Sequence, residues 1–356
     1  MSKVVLHIHQ KFLPYKGGST QRLLNLIKNA SDEYMHIVVC INSEHVESFS
    51  QVGDIKIFRC DKYSNIPFLL LKLFFKYKFD IVHYHNYRPA FFGLVSKILF
   101  PRARTIFELH SVYIPTTKLG RLLTKLVHYA CDEALVLSNS SVSALKKTGF
   151  KKKISVIYNG VNLDVFKNAN RASELLKGKT NIVGYIGSIE AFQGVDTFCS
   201  IANNVKKIRK DIDFVVIGGN IENHHKLDSI AQGAVDFYEF FSPEAVPALY
   251  KKFKCLLMTR PSLPETESAV PLKPIEALGA GIPVISTNVG GMKELKSILE
   301  SSNIHLFDTK EEIEAFLLSD KLDKLQFIEE KQIFKFDVNR QSELLEKAYT
   351  ELISGK

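Results

Sequence analysis

Lys273 and Glu276 stand three residues apart in the run PLKPIEALGAGIPVISTNVGG, residues 271–291. Pro274 is tolerated only in the first turn of a helix, where its missing N–H would be unpaired anyway. The spacing therefore predicts a helix from about Leu272 to Gly279 or Gly281. Free amides and a partial positive charge at a helix start suit a phosphate, and Lys273 adds a full charge there. Glu276, about one turn further in, has the oxygens to accept two hydrogen bonds from a ribose diol. Together these groups suit a nucleoside diphosphate. The same residue types also occur as solvated side chains on an ordinary α/β helix, and taken alone they favour that plainer meaning.

Other candidates lie at the ends of apolar runs. Gly17 and Gly18 follow HIHQKFLPYK, and Ser19 is expected to cap the helix carrying Leu23, Leu24, Leu26 and Ile27. Paired glycines let a ligand approach the backbone, though a plain turn would use them too. This is neither a dinucleotide G-x-G-x-x-G loop nor a Walker loop. DIVHYHN (80–86) and FELHS (107–111) end two strands. His110 is expected to point into a ligand site and His83 to be a packed histidine. Histidines on two loops raise the question of a metal, but no carboxylate spacing supports one.

These residues must be positioned by the elements around them. A length of 356 residues suggests two domains. In the first half, strands are expected near 3–9, 35–41, 55–59, 79–84, 104–109, 134–138 and 154–157. In the second they fall near 181–187, 213–218, 235–239, 254–258, 283–286 and 303–307. Near-continuous apolar runs such as Ile37-Val38-Val39-Cys40-Ile41 read as parallel strands buried on both faces. Helical runs alternate with them, near 195–209, 243–252, 272–280, 292–300 and 310–319. This is an α/β chain of doubly wound parallel sheets, whose ligand sites lie at the carboxyl ends of strands. The polar segment 164–179 reads as a linker, and the periodic run 339–353 as a helix packing back on the first domain.

The net charge of +9 is uneven: residues 1–170 carry 24 Lys and Arg against 11 Asp and Glu, a balance of +13, and the remainder is at −4. The first half is therefore expected to meet something anionic. Residues 66–79, IPFLLLKLFFKYKF, are too short to span a bilayer. They fit an interfacial helix, or a core helix with snorkelling lysines, about equally. Basic residues from Arg88 to Lys125 tip the reading to an anionic membrane surface, and no nucleic-acid module is present. Five widely spaced cysteines without a C-x-x-C pair predict a reducing, cytoplasmic setting and no zinc framework, and the basic surface places the expected setting at the inner membrane face.

Seven stretches, in order and spacing, carry a family resemblance. They are Gly17-Gly18, DIVHYHN, ELHS (108–111), VLSNSS (136–141), VIYNGVNLDVF (156–166), GYIGSIEAFQGVD (184–196) and PLKPIEALGAGIPVISTNVGGMKE (271–294). The chain resembles the retaining, nucleotide-sugar-dependent glycosyltransferases of family 4, which have the GT-B fold. The resemblance implies Rossmann-like domains facing a cleft: an acceptor domain at 1–165, a nucleotide-sugar domain at 176–335, and a crossing helix at 336–356.

It also implies roles. Glu276 holds the ribose, and Gly290, Gly291 and Glu294 line the sugar-side loops. His110 sits beside the transferred sugar, Gly17 and Gly18 meet the diphosphate, and Phe240 and Phe241 lie in the base-contacting loop. Gly187, Ser188, Gln193 and Lys273 fall on the donor side, His85 and Asn86 on the acceptor side. His110, Lys273 and Glu276 are the candidate catalytic residues.

The chain departs from the family pattern in three places. The first glutamate of the usual E-x7-E pair is replaced by Ser268, with Glu265 and Glu267 out of register. Ser188 and Gln193 stand where an arginine and a lysine usually clamp the diphosphate. The expected partners are a nucleotide-sugar donor and a glycan or lipid-linked acceptor for surface polysaccharide or lipopolysaccharide synthesis. No cofactor or metal is expected, since no Asp-x-Asp motif appears. A nucleotide-sugar 2-epimerase and a non-catalytic nucleotide-sugar-binding subunit are the alternatives.

Overall fold

The computed structural model describes residues 2–15, 17–110, 115–170 and 176–355. Ser111 of the ELHS motif and residues 171–175 of the expected linker lie outside them. The chain divides into two compact units, Met1–Gly160 with Val338–Lys356, and Val161–Asp337.

The first unit is built on eight strands: β1 (Lys3–Lys11), β2 (Tyr34–Ile41), β3 (Phe49–Val52), β4 (Ile55–Cys60), β5 (Ile81–His85), β6 (Arg104–Leu109), β7 (Glu133–Val136) and β8 (Lys153–Val156). Their order is β3-β4-β2-β1-β5-β6-β7-β8, parallel except for the β3–β4 pair. Strand β3 was not expected: its residues are exposed or half-buried, so FSQV lacks the apolar run that marks the inner strands. Leu6 and Ile8 of β1 face one buried layer with Val82, Tyr84 and Phe107. Val5, Ile81 and Ile106 face the other, against Leu345, Ala348 and Tyr349 of the C-terminal helix Val338–Ser354. That helix is fixed to the unit by polar contacts as well. Ser342 donates to the Leu26 carbonyl (2.9 Å), and the Tyr34 and Thr350 hydroxyls pair at 2.8 Å.

The second unit has six parallel strands: β9 (Ile182–Ile186), β10 (Phe214–Ile217), β11 (Val235–Tyr238), β12 (Phe253–Met258), β13 (Val284–Thr287) and β14 (Ile304–Phe307), ordered β11-β10-β9-β12-β13-β14. Several expectations need correction. Helix Ile221–Ala231 buries only Leu227 and Ala231, too few apolar residues to show a periodicity, and was not foreseen. Helix Leu163–Lys167 occupies the start of the expected linker, and the Pro-rich stretch 259–271 contains helix Pro264–Ser268. The expected helix at 243–252 is a 3-10 turn followed by helix Val246–Tyr250. The helix after β13 begins at Gly290 rather than Met292.

Candidate active site

In the first unit the chemistry lies on one face of the sheet. Strand side chains alternate, so H-x-H in β1 (His7, His9), H-x-H in β5 (His83, His85) and E-x-H at the end of β6 (Glu108, His110) each place both members on the same side. Register then aligns them across strands, His7 opposite His83 and His85 opposite Glu108. The rings form a hydrogen-bonded chain. His36 Nδ1 meets His7 Nε2 at 2.9 Å, His7 Nδ1 meets His85 Nε2 at 3.1 Å, and His85 Nδ1 meets His110 Nε2 at 3.1 Å. Each N–H···N link of this kind requires an unprotonated acceptor nitrogen. Burial supplies that state, lowering His36 to about 3, His110 to about 4, and His7 and His85 well below their ordinary value.

Glu108 anchors the cluster. Its Oε1 accepts from Arg22 Nε at 2.5 Å, and its Oε2 lies 3.0 Å from His83 Nε2. Arg22 also donates to the carbonyls of Tyr158 (2.7 Å) and Ile157 (2.8 Å). Burial pushes the Glu108 carboxyl up, but Arg22 and the surrounding groups hold it well below the usual range. His83 is packed as expected, with Nδ1 2.8 Å from the Tyr349 hydroxyl. His85, expected on the acceptor side, is buried, with its ring nitrogens bonded to His7 and His110. Asn86 follows it with φ +66, and its Oδ1 accepts from the His110 amide at 2.9 Å. Asn86 also borders a mainly apolar cavity of about 520 Å³ between helices Tyr87–Gly93 and Lys118–Ala130.

Gly17 is the N-cap of helix Gly18–Lys28, so Ser19 lies inside the helix and does not cap it. A Cβ on Gly17 would meet the Tyr15 ring at 2.3 Å, whereas one on Gly18 would meet nothing within 4 Å.

In the second unit the helix predicted around Lys273 spans Leu272–Gly279. The Lys273 side chain crosses Gly187, at the end of β9. A Cβ there would lie 2.0 Å from Lys273 Cε, and the φ of +148 also favours glycine. Lys273 Nζ sits over the Tyr185 ring, 5.4 Å from its centroid, and Tyr185 donates to the Ser188 carbonyl (2.8 Å). Burial, then the nearby Arg260 charge, lowers Lys273 to about 8. Glu276 accepts from the Tyr250 hydroxyl at 3.0 Å, and burial raises its pKa against the pull of Tyr250 and Lys273.

Arg260 is the residue that sequence reasoning missed. It lies two residues past the end of β12 and is buried, with Nε and Nη1 lacking hydrogen-bond partners among the described residues. Its backbone is held by Thr287, whose hydroxyl donates to the Arg260 carbonyl (2.6 Å). The signal was available as a lone arginine at the carboxyl end of a buried strand.

The other donor-side residues divide. Ser188 is exposed and Gln193 buried, while Phe240 projects into solvent beside Gly218 and Phe241 is half-buried. Glu294 is half-buried on the helix that Gly290 and Gly291 begin. Glu267 Oε2 accepts from the Gly290 amide at 2.8 Å, so the out-of-register glutamate satisfies that helix start.

Solved structures share this architecture. Sucrose-phosphate synthase from Thermosynechococcus elongatus aligns over 100% of both chains, with TM-score 0.77 and 13% identity. The Anabaena HepE protein in complex with UDP and glucose aligns over 98% of this chain and 100% of its own, at 0.74 and 15%. The fold is thus that of the GT-B transferases. Family models described as Glycosyltransferase Family 4 and Glycosyl transferases group 1 match residues 5–165 and 166–325. An uncharacterized glycosyltransferase of Methanocaldococcus jannaschii is 24% identical over 299 residues, 80% of this chain and 79% of its own. Spore coat protein SA of Bacillus subtilis is 22% identical over 261 residues, 65% of this chain and 66% of its own. The chain belongs to the family 4 type of glycosyltransferase, and it is a transferase enzyme.

Proposed function

We propose that the chain is a retaining glycosyltransferase that moves a sugar from a nucleotide diphosphate donor to a glycan or lipid-linked acceptor in surface polysaccharide or lipopolysaccharide assembly. The observation that carries this reading is the pair of cations Lys273 and Arg260 at the strand ends of the second unit. Arg260 keeps two guanidinium nitrogens without partners, and its charge lowers the pKa of Lys273. Buried like charges are costly unless an anion joins them. A diphosphate supplies that anion and is drawn to the start of helix Leu272–Gly279 as well. Arg260 thereby takes over the charge that Ser188 and Gln193 lack.

In this scheme Glu276 binds the ribose. The cations and amides stabilise the departing diphosphate as the anomeric carbon becomes oxocarbenium-like. The acceptor oxygen forms the new glycosidic bond on the face the diphosphate leaves, and its proton passes to the leaving phosphate. The step is drawn without a divalent ion. HepE, solved with UDP and glucose, supports a nucleotide sugar as the ligand class.

The first unit supports an amphiphilic acceptor at an anionic membrane. On helix Lys118–Ala130, Leu119, Leu122, Leu126 and Tyr129 are exposed at helical spacing beside Lys118, Arg121 and Lys125. Phe68, Leu71 and Phe75 are exposed on and just beyond helix Ile66–Phe74, with Lys72 and Lys76. Such stripes suit a lipid interface. Among the described residues, no helix is long and apolar enough to cross a membrane.

The test is a thermal-shift screen with UDP, GDP, ADP, CMP and their sugars. One nucleotide series should raise the melting temperature by mass action, and Lys273→Ala and Arg260→Ala should each abolish the shift. A shift that survives both substitutions removes the assignment.

A further inference from the structure

His9 stands apart from the imidazole chain. It is buried, and neither ring nitrogen makes a well-formed hydrogen bond among the described residues, the Lys11 backbone being the polar group it approaches. A buried polar ring left this way is costly, so its surroundings must be built for something that completes it. Those surroundings are His85, with ring centroid 4.8 Å away, and His110, at 5.9 Å. The three residues sit at the carboxyl ends of β1, β5 and β6, which are neighbours in the sheet.

The geometry points to a zinc-type divalent cation site formed by His9, His85 and His110, whose ligand nitrogens all lie within 4.8 Å of one another. Ligands at about 2.0–2.1 Å from a tetrahedral metal stand roughly 3.3 Å apart. The 3.1 Å separation of His85 Nδ1 and His110 Nε2 already matches that spacing. A modest movement of His9 brings the third nitrogen in and leaves the fourth position open. Imidazole donors suit zinc and its transition-metal neighbours, and disfavour magnesium or calcium, which take oxygen.

The second layer is in place. With His85 Nδ1 on the metal, its Nε2–H donates to His7 Nδ1 (3.1 Å), and His7 Nε2–H donates to His36 Nδ1 (2.9 Å). Hydrogen bonding of this kind fixes a ligand ring's tautomer and orientation. The Glu108 carboxylate lies 3.4 Å from His85 Nδ1 and 3.8 Å from His110 Nε2, so its charge offsets that of a buried cation. The other buried triad, His7, His83 and His85, is less suited. Each ring there already has a side-chain partner, His7 and His85 each other and His83 the Tyr349 hydroxyl and Glu108 carboxylate, whereas His9 has none.

The site does not rest on the sugar-transfer scheme, although it shares His110 with it. A metal on His110 Nε2 would commit that residue to the ion, which makes zinc a candidate inhibitor of whatever His110 does for substrate. The test uses the full chain, stripped with a chelator and titrated with Co²⁺ followed by optical absorption, and with Zn²⁺ followed by calorimetry. The expected result is one tetrahedral Co²⁺ per chain, displaced by one Zn²⁺. His9→Gln and His110→Gln should each weaken binding roughly 100-fold or more, as loss of one of three ligands demands. His45→Gln, an exposed control, should leave it unchanged. Melting curves establish that each variant is folded; His110, at the edge of the cluster, decides if His9→Gln is not. Absent or octahedral Co²⁺ binding, binding retained in a folded His9→Gln or His110→Gln chain, or binding lost in His45→Gln would each overturn the site.

Discussion

In the first unit, β1, β5 and β6 end in imidazoles and a carboxylate packed against one another. In the second, β9 and β10 run into Gly187 and Gly218, whose φ values of +148 and +131 leave no room for a side chain. Both units are parallel sheets with helices on their faces, so the difference lies in what fills the carboxyl ends. Apart from His9, the rings bond to one another or to Glu108 and Tyr349 and close the first site around its own polar groups. Glycines that remove side chains leave the second with Lys273 and Arg260 close together, offset in part by Glu276 and Glu265, and with two Arg260 nitrogens lacking hydrogen bonds among the described residues. The first arrangement contributes to the stability of its unit, while the second is where the proposed donor's diphosphate would bind.

The largest test of this contrast is a pair of carboxylate deletions. Glu108→Ala strands the buried Arg22 guanidinium and should cost about 3–5 kcal/mol in urea unfolding. Glu276→Ala, at a half-buried position, should cost less than about 1 kcal/mol yet lose most nucleotide affinity. Equal stability losses would end the distinction.

Acid should separate the units next. Burial lowers the folded pKa of His7, His9, His36, His85 and His110. Below the ordinary value near 6.5 the unfolded chain then binds more protons, and stability falls with pH by about 1.4 kcal/mol per unit for each ring. The loss continues until the folded values are reached, about 3 for His9 and His36 and about 4 for His110. Glu108, depressed in the folded state, adds to the loss once pH drops below its unfolded value of 4.5. Circular-dichroism melts at pH 7.5 and 5.5 should show a first-unit transition moving down ahead of the second. A single transition that ignores pH would contradict the neutral-ring description.

Glycine substitutions sharpen the comparison at a smaller scale. Gly187→Ala should displace Lys273 and weaken nucleotide binding about tenfold, a change near 1.4 kcal/mol. Gly18→Ala, with open space around the new Cβ, should leave stability unchanged within measurement, and any loss of nucleotide binding there would report a ligand approaching the Gly18 backbone. The smallest effect in solution belongs to Leu122→Ser with Leu126→Ser. Stability should stay within about 0.5 kcal/mol, while sedimentation with anionic vesicles falls, most clearly at low salt.

Much of this was legible beforehand where local physics decides. The inner strands showed as apolar runs because both their faces are buried, and Pro274 located the start of helix Leu272–Gly279. Strand β3 and helix Ile221–Ala231 were hidden because solvent, rather than a core, covers most of their side chains. The paired H-x-H and E-x-H spacings were visible too, and alternation alone would have placed each pair on one face.

What sequence alone determined is therefore the run of elements, the two-unit plan and the family, since burial periodicity and helix-start chemistry act over a few neighbouring residues. Only the tertiary structure decided the pairings. Arg22 meets Glu108 across 86 residues of chain, His83 meets Tyr349 across 266, and Arg260 comes near Lys273 through the layering of its unit. Electrostatic interaction depends on separation in space, and strand order sets that separation, so the charges that matter were present in the sequence without their partners being readable from it.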